Sequence, residues 1–254
     1  MESRLTKTDG IVLSSASFGE GHKIVRLLTD RLGKIEASAF GVRKTKSKFG
    51  SKLEPFSHIR LLLYRKSEST LYTIRDADAL FHNDGIREDL HKFLVGSAVI
   101  EPVVRFVEAE SEERGLYDLV AWCLRVLNEI PEQKAIYLLC MYEIKFLSEM
   151  GYRQQTSTCT MCGSQLSPDE TYADSRRGFP LCSSCRTTLS VRVDPPALKF
   201  VGWAQENPFA RAYKVTMKDE TLRNVRVLIE QLYQNLFHRG MASWKQLEDT
   251  GKVQ

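Results

Sequence analysis

Cys159-Thr160-Met161-Cys162 and, nineteen residues on, Cys182-Ser183-Ser184-Cys185 set four cysteines as two pairs, each with a two-residue spacer. A tetrahedral Zn²⁺ takes four thiolates at about 2.3 Å, and a two-residue spacer lets both sulfurs of a pair turn toward one point. Gly163, directly after the first pair, permits the positive backbone angle that a tight knuckle needs. Between the pairs, residues 170–174 and 178–181 read as two short strands joined by a turn over 174–178. The stretch therefore predicts a zinc ribbon, with Cys159, Cys162, Cys182 and Cys185 as ligands. The competing reading is two disulfides or four buried free thiols; a disulfide framework belongs to short secreted chains, and this chain of 254 residues has no apolar signal core at its start. Four thiolates close the coordination shell, so a metal here holds a fold and leaves no position for a reacting water. A zinc deaminase would also need a His-x-Glu pair, and none of His22, His58, His82, His91 and His238 is followed two residues later by Glu.

Outward from the ribbon the chain changes character twice. From Gly10 to about Leu80 apolar and polar residues alternate in five short runs. In one of them Ile35, Ala37 and Ala39 alternate with Lys34, Glu36 and Ser38; in another Ile59, Leu61 and Leu63 alternate with Arg60, Leu62 and Tyr64. Five such strands suit a small closed barrel of the OB type, a fold that binds oligonucleotides on one face and through its loops. After Ala79 the period lengthens to about 3.6. Ile86, Leu90, Phe93 and Leu94 start a helix that Pro102 is expected to kink or end. Two further stripes follow, Leu116 to Ile130 and Ile136 to Leu147, the second closed by Gly151 as a C-terminal cap. Beyond the ribbon, Asp194 before Pro195-Pro196 reads as an N-cap, and a last long helix is expected from about Asp219 to His238. Cys123 and Cys140 fall on apolar stripes and read as core residues.

The predicted architecture is thus α+β and multidomain: an OB-fold barrel over 1–80, a first helical part over 81–155, the inserted ribbon over 156–186 and a second helical part over 187–254. Charge is segregated along it. Residues 1–80 hold 15 Lys and Arg against 9 Asp and Glu, whereas residues 81–155 hold 8 against 13. The basic excess is densest in the loop Gly41 to Lys52, where Arg43, Lys44, Lys46, Lys48 and Lys52 stand with no acidic residue among them. A basic first unit hints at a polyanionic partner. Arg43, Lys44, Lys46, Lys48 and Lys52 are the candidate nucleic-acid contacts, a solvated face being the competing reading of such a charge run, with Phe40, Phe49, Phe56, Tyr64 and Tyr72 as candidates for base stacking. No phosphate loop, dinucleotide fingerprint or nucleophile elbow is present, and no apolar run approaches the roughly 20 residues that span a bilayer. The expectation is a cytoplasmic, non-enzymatic protein.

The order of barrel, helices, inserted ribbon and helical tail resembles the RecO family of bacterial recombination mediators. Two stretches carry the likeness. Ala39-Phe40-Gly41-Val42-Arg43-Lys44, continuing to Leu53-Glu54-Pro55-Phe56, is similar to the family's A-x-G-x-R segment followed by L-x-P-F. Tyr142-Glu143-Ile144-Lys145-Phe146-Leu147, with Gly151 and then Cys159-Thr160-Met161-Cys162-Gly163, is similar to its Y-E-x-K-x-L and C-x-x-C-G run. The resemblance implies single- and double-stranded DNA binding, strand annealing in the RecF pathway of DNA repair and recombination, and a nucleoid-associated cytoplasmic location. It also implies work with RecR and with the C-terminal tail of single-stranded-DNA-binding protein to load RecA. Such a tail, acidic and apolar, would need a basic-rimmed hydrophobic groove in the helical part, whose residues the sequence does not single out. The alternative class is an RNA-binding or ribosome-associated factor, distinguished by preference for RNA over DNA at equal salt.

Overall fold

A computed structural model of the chain describes residues 4–42, 49–66, 71–111, 114–208 and 216–249. The first five strands are β1 (Arg4–Phe18), β2 (His22–Thr29), β3 (Gly33–Ala39), β4 (His58–Arg65) and β5 (Tyr72–Phe81), and they close into a barrel in the order β1-β2-β3-β5-β4. Closure rests on β1, whose residues 10–18 pair with β2 while its residues 4–11 pair with β4. The register shifts between Val12 and Ser14, where β1 bends from one neighbour to the other. Period-two alternation fills the interior: Val12, Val25, Leu27, Ile35, Ile59, Leu61 and Leu63 are buried, while Arg26, Glu36 and Arg60 face outward. A short 3-10 turn, Gly50–Leu53, drops Phe49 and Leu53 into the same core.

Gly33 is a glycine by necessity, and Gly10 is closely packed. A Cβ on Gly10 would come within 2.9 Å of Leu61 Cδ1, where β1 crosses over the barrel wall. Gly33 opens β3 at φ +63°, and a Cβ there would stand 2.0 Å from the Ser111 carbonyl oxygen. Left-handed backbone costs a non-glycine residue of order 1–3 kcal/mol, and here a backbone atom must also move. Gly33→Ala is therefore expected to destabilise the first unit by about 1–3 kcal/mol, read as a lower urea midpoint with the slope unchanged. A midpoint equal to the wild type would show that the 107–111 segment yields freely.

Two compact units partition the chain: residues 1–96 with 102–129, and residues 97–101 with 130–254. The first adds helices to the barrel, namely α1 (Asp84–Glu88), much of α2 (Leu90–Phe106) and α3 (Arg114–Glu129). Lys34 donates from Nζ to the Val104 carbonyl at 2.8 Å, placing a cation on the unsatisfied C-terminal carbonyls of α2. Pro102 does not end this helix, the second of the two outcomes expected of it; α2 runs on to Phe106. The lost N–H removes one ladder bond, and complete burial of Val95, Ala98, Val99 and Val103 around it outweighs that loss.

The second unit is built on α4 (Ala135–Glu149), which is buried on nearly every side from Leu138 to Leu147. Around it lie α5 (Pro195–Glu206), α6 (Asp219–Phe237) and α7 (Ala242–Asp249), with a three-stranded sheet β6 (Thr171–Asp174), β7 (Gly178–Leu181) and β8 (Val191–Val193) in the order β7-β6-β8. Asp194 caps α5 by accepting from the Ala197 N–H at 3.1 Å. Gly151, at φ +84°, ends α4, with the Tyr152 N–H returning to the Leu147 carbonyl at 2.7 Å. The short α7 is pinned by polar anchors: Glu101 accepts from the Ala242 and Ser243 N–H groups at its N-terminus, and Trp244 Nε1 donates to both oxygens of Glu143 at 2.8 and 2.9 Å. Burial pushes the Glu143 carboxyl well above the usual range despite that donor. Among the described residues no helix is long and apolar enough to cross a membrane.

Candidate metal centre and nucleic-acid interface

The four cysteines of the ribbon come together. Their Sγ atoms all lie within 4.8 Å of one another, and the Cys162 and Cys182 sulfurs are 3.8 Å apart. A tetrahedron with arms of about 2.3 Å has edges of about 3.8 Å, whereas a disulfide bond is about 2.0 Å long. All six cysteines of the chain are free thiols. The four could hold a metal ion.

Local backbone builds the two knuckles. The Gly163 N–H donates to the Cys159 carbonyl at 2.9 Å with Gly163 at φ +71°, and the Cys185 N–H donates to the Cys182 carbonyl at 3.1 Å. The Thr160 N–H ties the first knuckle to Pro180 of β7 at 3.0 Å. Beneath them, buried Asp174 holds the β6–β7 turn, accepting on Oδ1 from the Arg176 and Arg177 N–H groups and on Oδ2 from Thr187 and Ser190. Burial opposes ionisation of that carboxyl, but these four donors outweigh it and keep the group well below the usual carboxylate range. A third strand, β8, pairs with β6 and carries the sheet to Val193, past residue 186.

Crowding of the sulfurs shows in their acidities. Burial would raise Cys159, yet N–H groups of Cys182, Cys162 and Met161 directed at its sulfur hold the thiol below its ordinary value. The Ser164 hydroxyl leads the groups that bring Cys182 down to about 6, while Cys162 and Cys182 together drive Cys185 up to about 12. A divalent cation held by all four sulfurs would favour the thiolate at each of them.

On the barrel, the basic loop is only partly described. Arg43, Lys44, Lys46 and Lys48 lie outside the described residues. Lys52 is described, and its ammonium donates to the Ala77 carbonyl at 2.7 Å and lies 3.6 Å from Asp78 Oδ1, so β5 holds it. The aromatic candidates divide cleanly. Phe49, Phe56 and Tyr72 are buried core residues, and Tyr64 is half-buried under the Arg75 guanidinium at 4.8 Å. Phe40 is 55% exposed and stands where β3 leads into the basic loop. Beside it are two residues that the sequence did not single out: His22, whose ring meets the Phe40 ring edge-on at 4.9 Å and accepts from the Gly41 N–H on Nδ1, and exposed Phe18, paired with His22 across β1 and β2. An exposed aromatic cluster thus sits at the loop's root.

In the second unit, α5 and the segment entering α6 enclose an open groove of about 480 Å³. Pro196, Phe200, Trp203 and Met217 supply an apolar floor, with the Phe200 and Trp203 rings stacked at 6.1 Å. Lys199 and Lys218 stand exposed on its rim, and neither has an ion-pair partner among the described residues. The Tyr137 hydroxyl fixes one wall by donating to the Met217 carbonyl at 3.0 Å.

Comparison with known proteins places these features. Residues 1–81 match the family described as Recombination protein O N terminal, and residues 87–245 match Recombination protein O C terminal. The DNA repair protein RecO of Streptomyces coelicolor is 33% identical over 205 residues, covering 78% of this chain and 81% of the relative. That of Syntrophus aciditrophicus is 27% identical over 259 residues, covering 100% of this chain and 99% of the relative. That of Bacillus pumilus is 27% identical over 254 residues, covering 98% and 97%.

Proposed function

The chain belongs to the RecO family of DNA repair proteins, and from that premise we propose that it is a recombination mediator that binds single- and double-stranded DNA and anneals strands coated with single-stranded-DNA-binding protein. With RecR it then helps RecA replace the coat. The barrel of residues 1–80 is the proposed DNA-binding part, with Arg43, Lys44, Lys46 and Lys48 taking phosphates, Lys52 being engaged by β5, and Phe40 stacking on a base. Phosphate contacts position a strand without reading its sequence, as a mediator acting on any gap requires. The metal is proposed to be Zn²⁺, held by Cys159, Cys162, Cys182 and Cys185 in a closed shell whose role is to fold the ribbon.

The observation that carries the mediator reading is the groove over Phe200 and Trp203. Annealing coated strands needs a grip on the coat as well as on the DNA. A tail that ends in acidic and apolar residues is matched by an aromatic floor with lysines at its edge: the apolar residues lie on the floor and the carboxylates meet Lys199 and Lys218. No step of this activity consumes a nucleotide, so the protein acts without being an enzyme.

The test is annealing of complementary oligonucleotides coated with the cognate single-strand-binding protein. Annealing should proceed without ATP, stop when the coat protein lacks its C-terminal tail, and fall at least tenfold in Trp203→Ala, a typical loss for an aromatic anchor at the centre of an interface. Bare DNA should still be bound in both cases. An ATP requirement, or annealing indifferent to the tail, would overturn the reading.

A further inference from the structure

The cysteine ribbon presents a second basic surface, built differently from the barrel loop. Tyr172 of β6 and Arg192 of β8 are directly opposed partners and so stand on one face of the sheet. The Arg186 guanidinium lies 5.0 Å over the Tyr172 ring, and its Nη1 donates to the Tyr172 hydroxyl at 2.7 Å. Arg177, in the β6–β7 turn, donates from Nη1 to the Cys185 carbonyl at 2.9 Å, and Arg192 donates from Nε to the Asp169 carbonyl at 3.0 Å. All three side chains are exposed. Every one of these anchors is a neutral oxygen.

That distinguishes the ribbon from the barrel wall. There, Arg26 is paired with Glu36, Arg60 with Asp9 and Arg65 with Glu110. Among the described residues Arg177, Arg186 and Arg192 have no carboxylate in ion-pair range, and the ribbon's buried Asp174 is already engaged by Thr187, Ser190 and two backbone N–H groups. A guanidinium has five N–H donors, so one anchoring bond orients it and leaves the others for a ligand. Held arginines with unneutralised charge suit phosphate oxygens, which accept two parallel hydrogen bonds from the guanidinium fork.

We propose that Arg177, Arg186 and Arg192 form a second DNA site, taking the sugar-phosphate backbone of a strand other than the one on the barrel. The proposal goes beyond the annealing reading and rests on it only for the identity of the polyanion. Two strands approaching each other repel, and a protein that holds one on the barrel and its partner on the ribbon screens both. The site also gives the metal a consequence for DNA: Arg186 directly follows ligand Cys185, and the carbonyl of that cysteine orients Arg177.

Full-length protein with Arg177→Gln, Arg186→Gln and Arg192→Gln tests this against two probes, a labelled oligothymidylate and a second, non-complementary oligonucleotide captured through the first. In the wild type, three phosphate partners on the ribbon should make capture of the second strand weaken roughly 20-fold as salt rises from about 50 to about 200 mM, while the glutamine variant should leave the salt slope of first-strand binding unchanged. Capture of the second strand should disappear while the first remains bound. The matching triple lysine variant keeps the charge and should restore capture. Unchanged second-strand capture in the glutamine variant, at wild-type metal content and melting temperature, would overturn the proposal. Failure of both variants to capture would assign the arginines a structural role instead. Intact DNA capture with lost binding of a glutamate-rich peptide would make the ribbon a protein-docking surface. The two sites fail separately: if neutralising the barrel loop leaves first-strand binding untouched and the ribbon variant abolishes it, the barrel reading falls and the ribbon site stands.

Discussion

Cys162→Ser should yield a protein without its metal, poorly soluble and melting early. Metal analysis of the wild type should return one zinc per chain, and this variant none. Structural zinc binding contributes apparent free energies of about 10–16 kcal/mol in small zinc-binding peptides near neutral pH, because the ordered site forms only as the segment folds. The ribbon has little else to order it: its strands are four, four and three residues long, and its buried apolar residues are few, Ala173, Phe179, Leu181 and Val193 among them. An entire domain is stable by only about 5–15 kcal/mol, so the loss cannot be absorbed elsewhere. Cys162 is the informative position because its side chain is exposed, whereas buried Cys159 would confound ligand loss with core disruption. Chelation of the wild type should reproduce the effect. A metal-free wild type that melts unchanged would remove the metal from the account and leave four clustered thiols to be explained otherwise.

Where sequence pattern and structure agree, the physics is local. The alternation around Ile35 and Ile59 forces one face of each strand inward whatever the neighbours, and the barrel follows. The Cys-x-x-Cys pairs work the same way, since each knuckle closes over four residues, and so do the Asp194 and Gly151 caps. What escaped the sequence depends on distant partners. β1 extends from Arg4 to Phe18, well beyond the Gly10–Ser15 core of its pattern, because β4 recruits its polar first half through backbone bonds that carry no side-chain signature. Continuation of α2 through Pro102 is a tertiary effect that a local proline penalty misses. The groove is assembled from α5 and residues 216–221, joined only by folding. Phe18 and His22 carry no signal of their own until the β1–β2 register aligns them with Phe40. Lys52 shows the converse: a cation indistinguishable in sequence from its loop neighbours is held by a carbonyl 25 residues away.

That difference sharpens what the basic loop should do. Neutralising Arg43, Lys44, Lys46, Lys48 and Lys52 together removes up to five phosphate partners, and each partner lost should flatten the single-strand salt slope by about 0.7. Because Lys52 is engaged by Ala77 and Asp78, a variant that keeps it and neutralises the other four should show nearly the whole effect, a slope change of about 2.8. Between about 50 and about 200 mM salt that amounts to a roughly 50-fold difference in how much affinity is lost, the same for any DNA sequence. Phe40→Ala should behave differently. Stacking on an exposed ring contributes about 1–3 kcal/mol per base and displaces no counterion, so affinity should fall about 5- to 150-fold at every salt concentration with the slope unchanged. Measuring both variants across a salt series therefore separates charge from stacking on one barrel end. If the four-residue variant keeps the wild-type slope, residues 43–48 are only a solvated face, and the strand must be held by other cations of the chain.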